Sequence, residues 1–141
     1  MDVIARGRPV VPGNASGELL YSEEPLSFWG GYDASTGEII DRRHELSGRG
    51  AAGCVLAVPA TRGSSTTTAV LLEAVRRDVA PAALLTRGED RFLALAAIVA
   101  EEMYGRTLPV VALSPQGFEA LRRHAAVRVS ADGEISASDE A

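Results

Sequence analysis

The chain changes rhythm near its middle. Up to Pro59 the apolar residues come in short runs set between glycines and turn formers. Val10-Val11 and Leu19-Leu20-Tyr21 read as short extended pieces, separated by the turn Pro12-Gly13-Asn14. Ser27-Phe28-Trp29-Gly30-Gly31-Tyr32-Asp33 reads as a loop with bulky aromatics beside two glycines. Ser35-Thr36-Gly37 is a turn, from which Glu38-Ile39-Ile40-Asp41 leaves as a short strand. Cys54-Val55-Leu56-Ala57-Val58 is a continuous apolar run closed by Pro59, and its length and β-branching predict a buried central strand.

Beyond Pro59 strands and helices alternate. Residues 66–77 predict a helix with Ala69, Val70, Ala74 and either Leu71 or Val75 on its buried side. Arg76 and Arg77 end it, where the helix dipole favours cations. Residues 81–85 form a buried strand, and residues 90–104 a second helix stopped by Gly105. Residues 109–113 form another buried strand, and residues 115–124 a third helix with Pro115 in its first turn. Residues 126–129 and 134–136 flank Ala131-Asp132-Gly133 as a hairpin. A β-rich first half followed by alternating elements predicts an α/β layered domain with some parallel strands and a smaller antiparallel portion. One domain is expected over residues 1–136, with residues 137–141 as a disordered tail.

Composition narrows the function classes. A chain of 141 residues with 46% hydrophobic and 23% charged residues fits one soluble domain. Only 5% are aromatic, so Val, Leu, Ile and Ala must fill the core. No apolar run reaches the roughly 18 residues of a membrane span. The opening Met1-Asp2-Val3-Ile4 lacks the basic and apolar segments of a secretory leader, so a cytoplasmic protein is expected. The net charge of −5 disfavours nucleic-acid binding. All 14 basic residues are arginine, which excludes a lysine Schiff base and a P-loop lysine. The single cysteine, Cys54, cannot by itself make an internal disulfide, a zinc site or an iron–sulfur cluster, so no metal site is assigned to this chain.

Two segments could carry chemistry. Thr61-Arg62-Gly63-Ser64-Ser65-Thr66 joins a buried strand to an amphipathic helix. In an open α/β sheet, ligands bind at that kind of junction. Gly63 allows close backbone approach, Ser64 or Ser65 can cap the helix beside free N–H groups, and Arg62 supplies a fork for a carboxylate or phosphate. Spacing alone favours an ordinary capped helix with an incidental arginine. In the second segment, Phe28, Trp29, Gly30 and Gly31 either line a pocket or partner surface, or anchor a long loop to the core. His44 reads as a surface or hydrogen-bonded residue, His124 as a helix-end residue, Cys54 as a small core residue, and Glu101-Glu102 as a solvated face. No nucleophile elbow, H-E-x-x-H, GxGxxG or Walker motif is present.

Taken in order, Pro25-Leu26-Ser27-Phe28-Trp29-Gly30-Gly31, Thr36-Gly37-Glu38-Ile39-Ile40-Asp41, and Pro59 through Arg62-Gly63-Ser64-Ser65 resemble the small subunit of aconitase X. Ala80-Pro81-Ala82 and Leu108-Pro109-Val110-Val111 also fit, so the likeness runs from about Gly7 to about Leu113. It implies the aconitase-like swivelling β/β/α fold. It also implies a separate large subunit that holds an iron or iron–sulfur centre, with the active site between the two chains and no cofactor in this one. The first serine after the glycine of the turn, Ser64, would be the catalytic base, and Arg62, Gly63 and Ser65 would contact substrate. Some members carry a Gly-Ser pair soon after that turn, where this chain reads Ser65-Thr66-Thr67-Thr68.

The implied reaction is a hydro-lyase step on a β-hydroxy acid. A proton leaves the carbon α to a carboxylate and hydroxide leaves the β carbon. Two substrates fit the family: cis-3-hydroxy-L-proline, favoured weakly by an arginine-only composition typical of GC-rich bacteria, and mevalonate 5-phosphate. A serine hydroxyl becomes a base only if its alkoxide is stabilised by helix N-terminal amides, Arg62 and a desolvated cleft. The isolated chain is therefore expected to be inactive. Two other classes compete: a non-catalytic binding or regulatory module on the same fold, and a phosphocarrier using His44, which lacks the Gly-rich context of such histidines.

Overall fold

The computed structural model describes residues 2–62 and 66–138. Among the described residues eight strands form one mixed sheet: β1 (Val3–Arg6), β2 (Arg8–Val11), β3 (Ala15–Tyr21), β4 (Val55–Ala57), β5 (Ala83–Arg87), β6 (Val110–Leu113), β7 (Ala126–Val129) and β8 (Glu134–Ala137). Their spatial order is β1-β8-β7-β3-β4-β5-β6-β2. The central β3, β4, β5 and β6 are parallel, and the outer pairings are antiparallel. The seven-residue β3 joins the two regimes. Ala15–Glu18 pairs antiparallel with β7, and Leu19–Tyr21 pairs parallel with β4.

Register explains the two cores. Leu20, Leu56, Leu84 and Val110 stand in line across the parallel strands. They share one core with Leu71, Ala74 and Val75 of α1 (Thr66–Arg76) and Leu93, Ala96, Ala97 and Ala100 of α2 (Arg91–Tyr104). Their neighbours Leu19, Val55 and Ala83 point the other way. That second core holds Phe118 of α3 (Pro115–Glu119), Leu121, and the inward residues of β7 and β8. The alternation of strand side chains thus buries both faces of the sheet, which is why these strands read as continuous apolar runs.

The helix ends follow the sequence signals. Asp90 caps α2, and Gly105 closes it at φ 65° in the left-handed region. Ser114 caps α3, whose first turn contains Pro115. Gly133, at φ 91°, turns β7 into β8, and its carbonyl accepts from Gly7 N–H at 2.9 Å. A Cβ there would lie 2.2 Å from the Gly7 carbonyl oxygen, so this hairpin and the β1–β2 link fit only around a glycine.

Several expectations are corrected. α1 buries Thr67, Leu71, Ala74 and Val75, while Ala69 is exposed. Leu71 lies about 200° around the helix from Ala69, and the larger side chain takes the sheet side. The third helix is α only to Glu119 and continues as a 3₁₀ turn over Ala120–Arg123. Glu38 and Ile39 make only isolated bridges, to Gly50 and Tyr32, because their partners are turns. β1 was not anticipated. β8 extends to Ala137, whose N–H donates to Asp2 O at 2.8 Å, and Ser138 N–H donates to Ala126 O at 2.9 Å. The strand therefore takes in Ala137, expected in a tail, Ser138 is bonded to β7 beside it, and residues 139–141 lie outside the described residues.

Candidate functional site

The chain leaves β4 at the carboxyl edge of the parallel strands. The β4–β5 ladder continues beyond Ala57, with Val58 N–H donating to Leu85 O at 3.1 Å and Arg87 N–H to Pro59 O at 3.1 Å. Leu26 then takes over as partner. Its N–H donates to Ala60 O at 3.2 Å and its carbonyl accepts from Arg62 N–H at 3.0 Å. Thr61 is held from the other side. Its N–H and its Oγ1 both donate to Asp90 Oδ2, each at 2.7 Å. Asp90 Oδ1 accepts from Phe92 and Leu93 N–H at 3.0 and 3.1 Å. One carboxylate therefore caps α2 and fixes the segment that leads into α1.

The backbone of Arg62 is pinned and its side chain is exposed. Other arginines are engaged: Arg8 pairs with Glu89 and Arg122 with Glu23. Among the described residues the Arg62 guanidinium has no such partner, which leaves its fork available for an anion. Gly63, Ser64 and Ser65, predicted as substrate contact, base and second contact, lie outside the described residues.

The SFWGG loop divides its labour. Phe28 is fully buried and stacks on Tyr32 with ring centroids 5.2 Å apart. Tyr32 Oη donates to Val79 O at 2.6 Å, and burial, with Cys54 nearby, pushes the phenol far above its usual range. Gly31 is also buried, and a Cβ on it would lie 2.0 Å from Ser27 O. Phe28 and Gly31 thus offer no surface for lining a site or an interface. Trp29 is 68% exposed and Gly30, at φ 77°, is exposed beside it. The turn that projects Trp29 is closed by Gly31 and Tyr32 N–H, both donating to Phe28 O, and by Ser27 Oγ donating to Trp29 O at 3.0 Å.

His44 is buried, and both its nitrogens are engaged. Nδ1 accepts from Leu46 N–H at 3.1 Å, which leaves Nε2–H to donate to Glu24 O at 3.2 Å. No lone pair of this ring faces solvent to accept a phosphoryl group, so the phosphocarrier reading fails. Cys54 sits at the border of the core, its Sγ 3.5 Å from Gly50 O, and burial raises its thiol pKa. Among the described residues no group of three or more His, Cys, Asp or Glu side chains could hold a metal ion. A cavity of about 560 Å³ lies between β1 and the end of α3, and one of about 260 Å³ is lined by Gly53, Asp78, Pro81 and Arg106. Neither includes Thr61 or Arg62. Asp90 is the residue that sequence reasoning missed as part of the site: it was legible only as a helix start.

A family model of the aconitase X swivel domain matches residues 4–137. The chain belongs to the aconitase X swivel-domain family. The crystal structure of Thermococcus kodakaraensis aconitase X in its holo form superposes with a TM-score of 0.80 at 30% identity, covering 95% of this chain and 97% of that one. The chain is 51% identical over 128 residues to a cis-3-hydroxy-L-proline dehydratase of Pseudomonas aeruginosa, covering 91% of this chain and 22% of that protein. It is 36% identical over 137 residues to a phosphomevalonate dehydratase small subunit of Thermococcus gammatolerans, covering 95% of this chain and 97% of that one. The chain thus spans about a fifth of the length of the cis-3-hydroxy-L-proline dehydratases that it matches. Among the described residues no helix of this aconitase X swivel domain is long and apolar enough to cross a membrane.

Proposed function

We propose that this chain is the small, swivel component of an aconitase X-type dehydratase that removes water from cis-3-hydroxy-L-proline. The observation that carries the reading is the junction after β4. An arginine with a pinned backbone, whose guanidinium has no ion-pair partner among the described residues, stands there, directly before the Gly63-Ser64-Ser65 sequence, at the carboxyl edge of a parallel sheet. The 51% identity to a protein named for that substrate supports the choice of ligand.

In this reading Arg62 grips the substrate carboxylate through its planar fork. Its charge also stabilises the negative charge that develops as the α proton leaves. Ser64, as its alkoxide, accepts that proton while the β-hydroxyl departs as hydroxide and a carbon–carbon double bond forms; Ser64 then returns the proton to the hydroxide, which leaves as water. The donor set of this chain does not fit an iron centre, since it offers one cysteine and no cluster of ligands among the described residues. An iron or iron–sulfur group is therefore assigned to a large aconitase X subunit that closes over the junction, in the cytoplasm. A second reading, mevalonate 5-phosphate as substrate, is favoured by the match to 97% of the T. gammatolerans small subunit. The two acids share the proton-abstraction logic.

The test is to co-express the chain with an aconitase X large subunit without oxygen and to supply each substrate in turn. Turnover is expected only from the complex. Ser64→Ala should lower kcat by at least about 100-fold while assembly is kept. Full activity of the Ser64→Ala complex would remove Ser64 as the base. Full activity of the large subunit alone would leave this chain a binding module.

A further inference from the structure

We propose that Asp90 is a positioning residue for Arg62, acting through Thr61; the assignment rests on the dehydratase reading above. The geometry goes beyond what a helix cap requires. Capping α2 uses only Oδ1, which accepts from Phe92 and Leu93 N–H. The other oxygen takes two short hydrogen bonds from a single residue, Thr61, which lies 29 positions earlier. A charged acceptor shared by a backbone and a hydroxyl donor fixes both the position of Thr61 and the rotation of its side chain.

Thr61 is in turn the bridge partner of Leu26, and the next N–H, that of Arg62, closes the bridge on Leu26 O. The backbone of Arg62 is thus set by Asp90 on one side and Leu26 on the other. Its side chain has no ion-pair partner among the described residues to orient it. The direction from which the guanidinium reaches a substrate carboxylate is therefore decided at the backbone, by Asp90.

Asp90→Asn separates the two roles. Asn caps helices as well as Asp does, so its carbonyl oxygen keeps the bonds to Phe92 and Leu93. Its amide group then faces the Thr61 N–H, donor against donor, and that anchor is lost. Thr61→Val is the second variant, removing only the hydroxyl donor. Two measurements are made. Amide hydrogen exchange in the full chain reads the anchor without any catalysis. Steady-state kinetics of the assembled enzyme, with Arg62→Ala as the second arm of a double-mutant cycle, reads the positioning.

In Asp90→Asn, exchange at Thr61 and Arg62 should rise about 10-fold to 100-fold, while Phe92 and Leu93 stay protected. kcat/KM should fall by about tenfold or more in the Arg62 enzyme and by less than about twofold in the Arg62→Ala enzyme, because the effect runs through Arg62. A merely structural role would lower both backgrounds alike. Unchanged exchange at Thr61 overturns the anchor. Equal losses in both backgrounds, or normal turnover of Arg62→Ala, overturn the positioning role. If the wild-type complex turns over neither substrate, the dehydratase reading falls and takes the catalytic half of this assignment with it, while the exchange arm still decides whether Asp90 sets the Thr61–Arg62 backbone.

Discussion

Replacing Phe28 and replacing its neighbour Trp29 should have very unequal consequences for stability, although the two aromatics are adjacent in sequence. Phe28 has no exposed surface and rests on Tyr32 in a core shared with Leu26, Ile39 and α1. A buried aromatic removes about 150–250 Å² from water, worth roughly 4–6 kcal/mol at about 25 cal/mol per Å². Part of that is already gained in a compact unfolded chain, and the alanine retains its own methyl. Measured Phe→Ala changes in cores cost about 3–5 kcal/mol, and the expected loss for Phe28→Ala is about 4 kcal/mol. Phe28→Leu keeps more of the volume and should lose less. Trp29 is 68% exposed, so Trp29→Ala should change stability by no more than about 0.5 kcal/mol. Urea unfolding of the isolated chain checks both. It is followed by far-ultraviolet circular dichroism, because Trp29 is the only tryptophan and its removal silences fluorescence. A Phe28→Ala loss below about 1.5 kcal/mol, or a Trp29→Ala loss above about 2 kcal/mol, would refute the division of the loop into an anchor and a projecting tip.

Two further outcomes concern titrating groups. Hydrogen bonds first from Arg76 and then from Arg77 hold the Glu73 carboxyl at about 2, below its ordinary 4.5, so its contribution is present at neutral pH and is lost as pH falls from 4.5 towards 2. Glu73→Gln should flatten that part of the acid unfolding curve, and added salt should shrink the difference, since the pair is exposed; a mutant curve parallel to wild type through that window would refute it. Burial first, and the Glu18 carboxylate second, raise the Cys54 thiol above its ordinary value, so less thiolate is present in the folded chain. A disulfide reagent at pH 8 should modify Cys54 at least about tenfold more slowly in the folded chain than in urea, and equal rates would contradict the placement.

Elements whose signals are local were legible in the sequence. Asp90, Gly105 and Pro115 mark helix ends because the groups orphaned there are satisfied, or need not be, within one turn. The apolar runs at β4, β5 and β6 announce strands buried on both faces. Elements whose partners are distant were not legible. β1 has no strong apolar pattern and exists because β8 offers it an edge. Glu38 to Asp41 carries strand propensity, but Ile40 N–H is taken by Gly31 O and Ile39 N–H by Arg49 O, which leaves no continuous ladder. The side that Ala69 takes on α1 also escaped, although Ala74 was placed correctly, because Ala69 and Leu71 are both apolar and only their angular separation about the helix decides which meets the sheet.

The junction after β4 shows the same boundary at the level of chemistry. Its residue types were visible: an arginine, a glycine and two serines between a buried strand and a helix suggest an anion site at the carboxyl edge of a sheet. What supports them was not visible. Asp90 announces itself only as a helix start, and its cap of that helix accounts for only one of its two oxygens. The second oxygen finds Thr61 because β4 and β5 are parallel neighbours in a fixed register, with Leu56 beside Leu84 and Ala57 beside Leu85. The chain therefore leaves both strands at the same edge, and the loop after β4 meets the residue that starts the helix after β5. Any sequence with this register and an acidic cap at that place can make the contact, but only pairing across the sheet shows that it does. Leu26 is concealed in the same way, since its bridge to Thr61 crosses 35 positions and involves only backbone groups, which carry no residue signature. The side chains that could meet a substrate were therefore readable from motif, while the groups that aim them had to be read from topology.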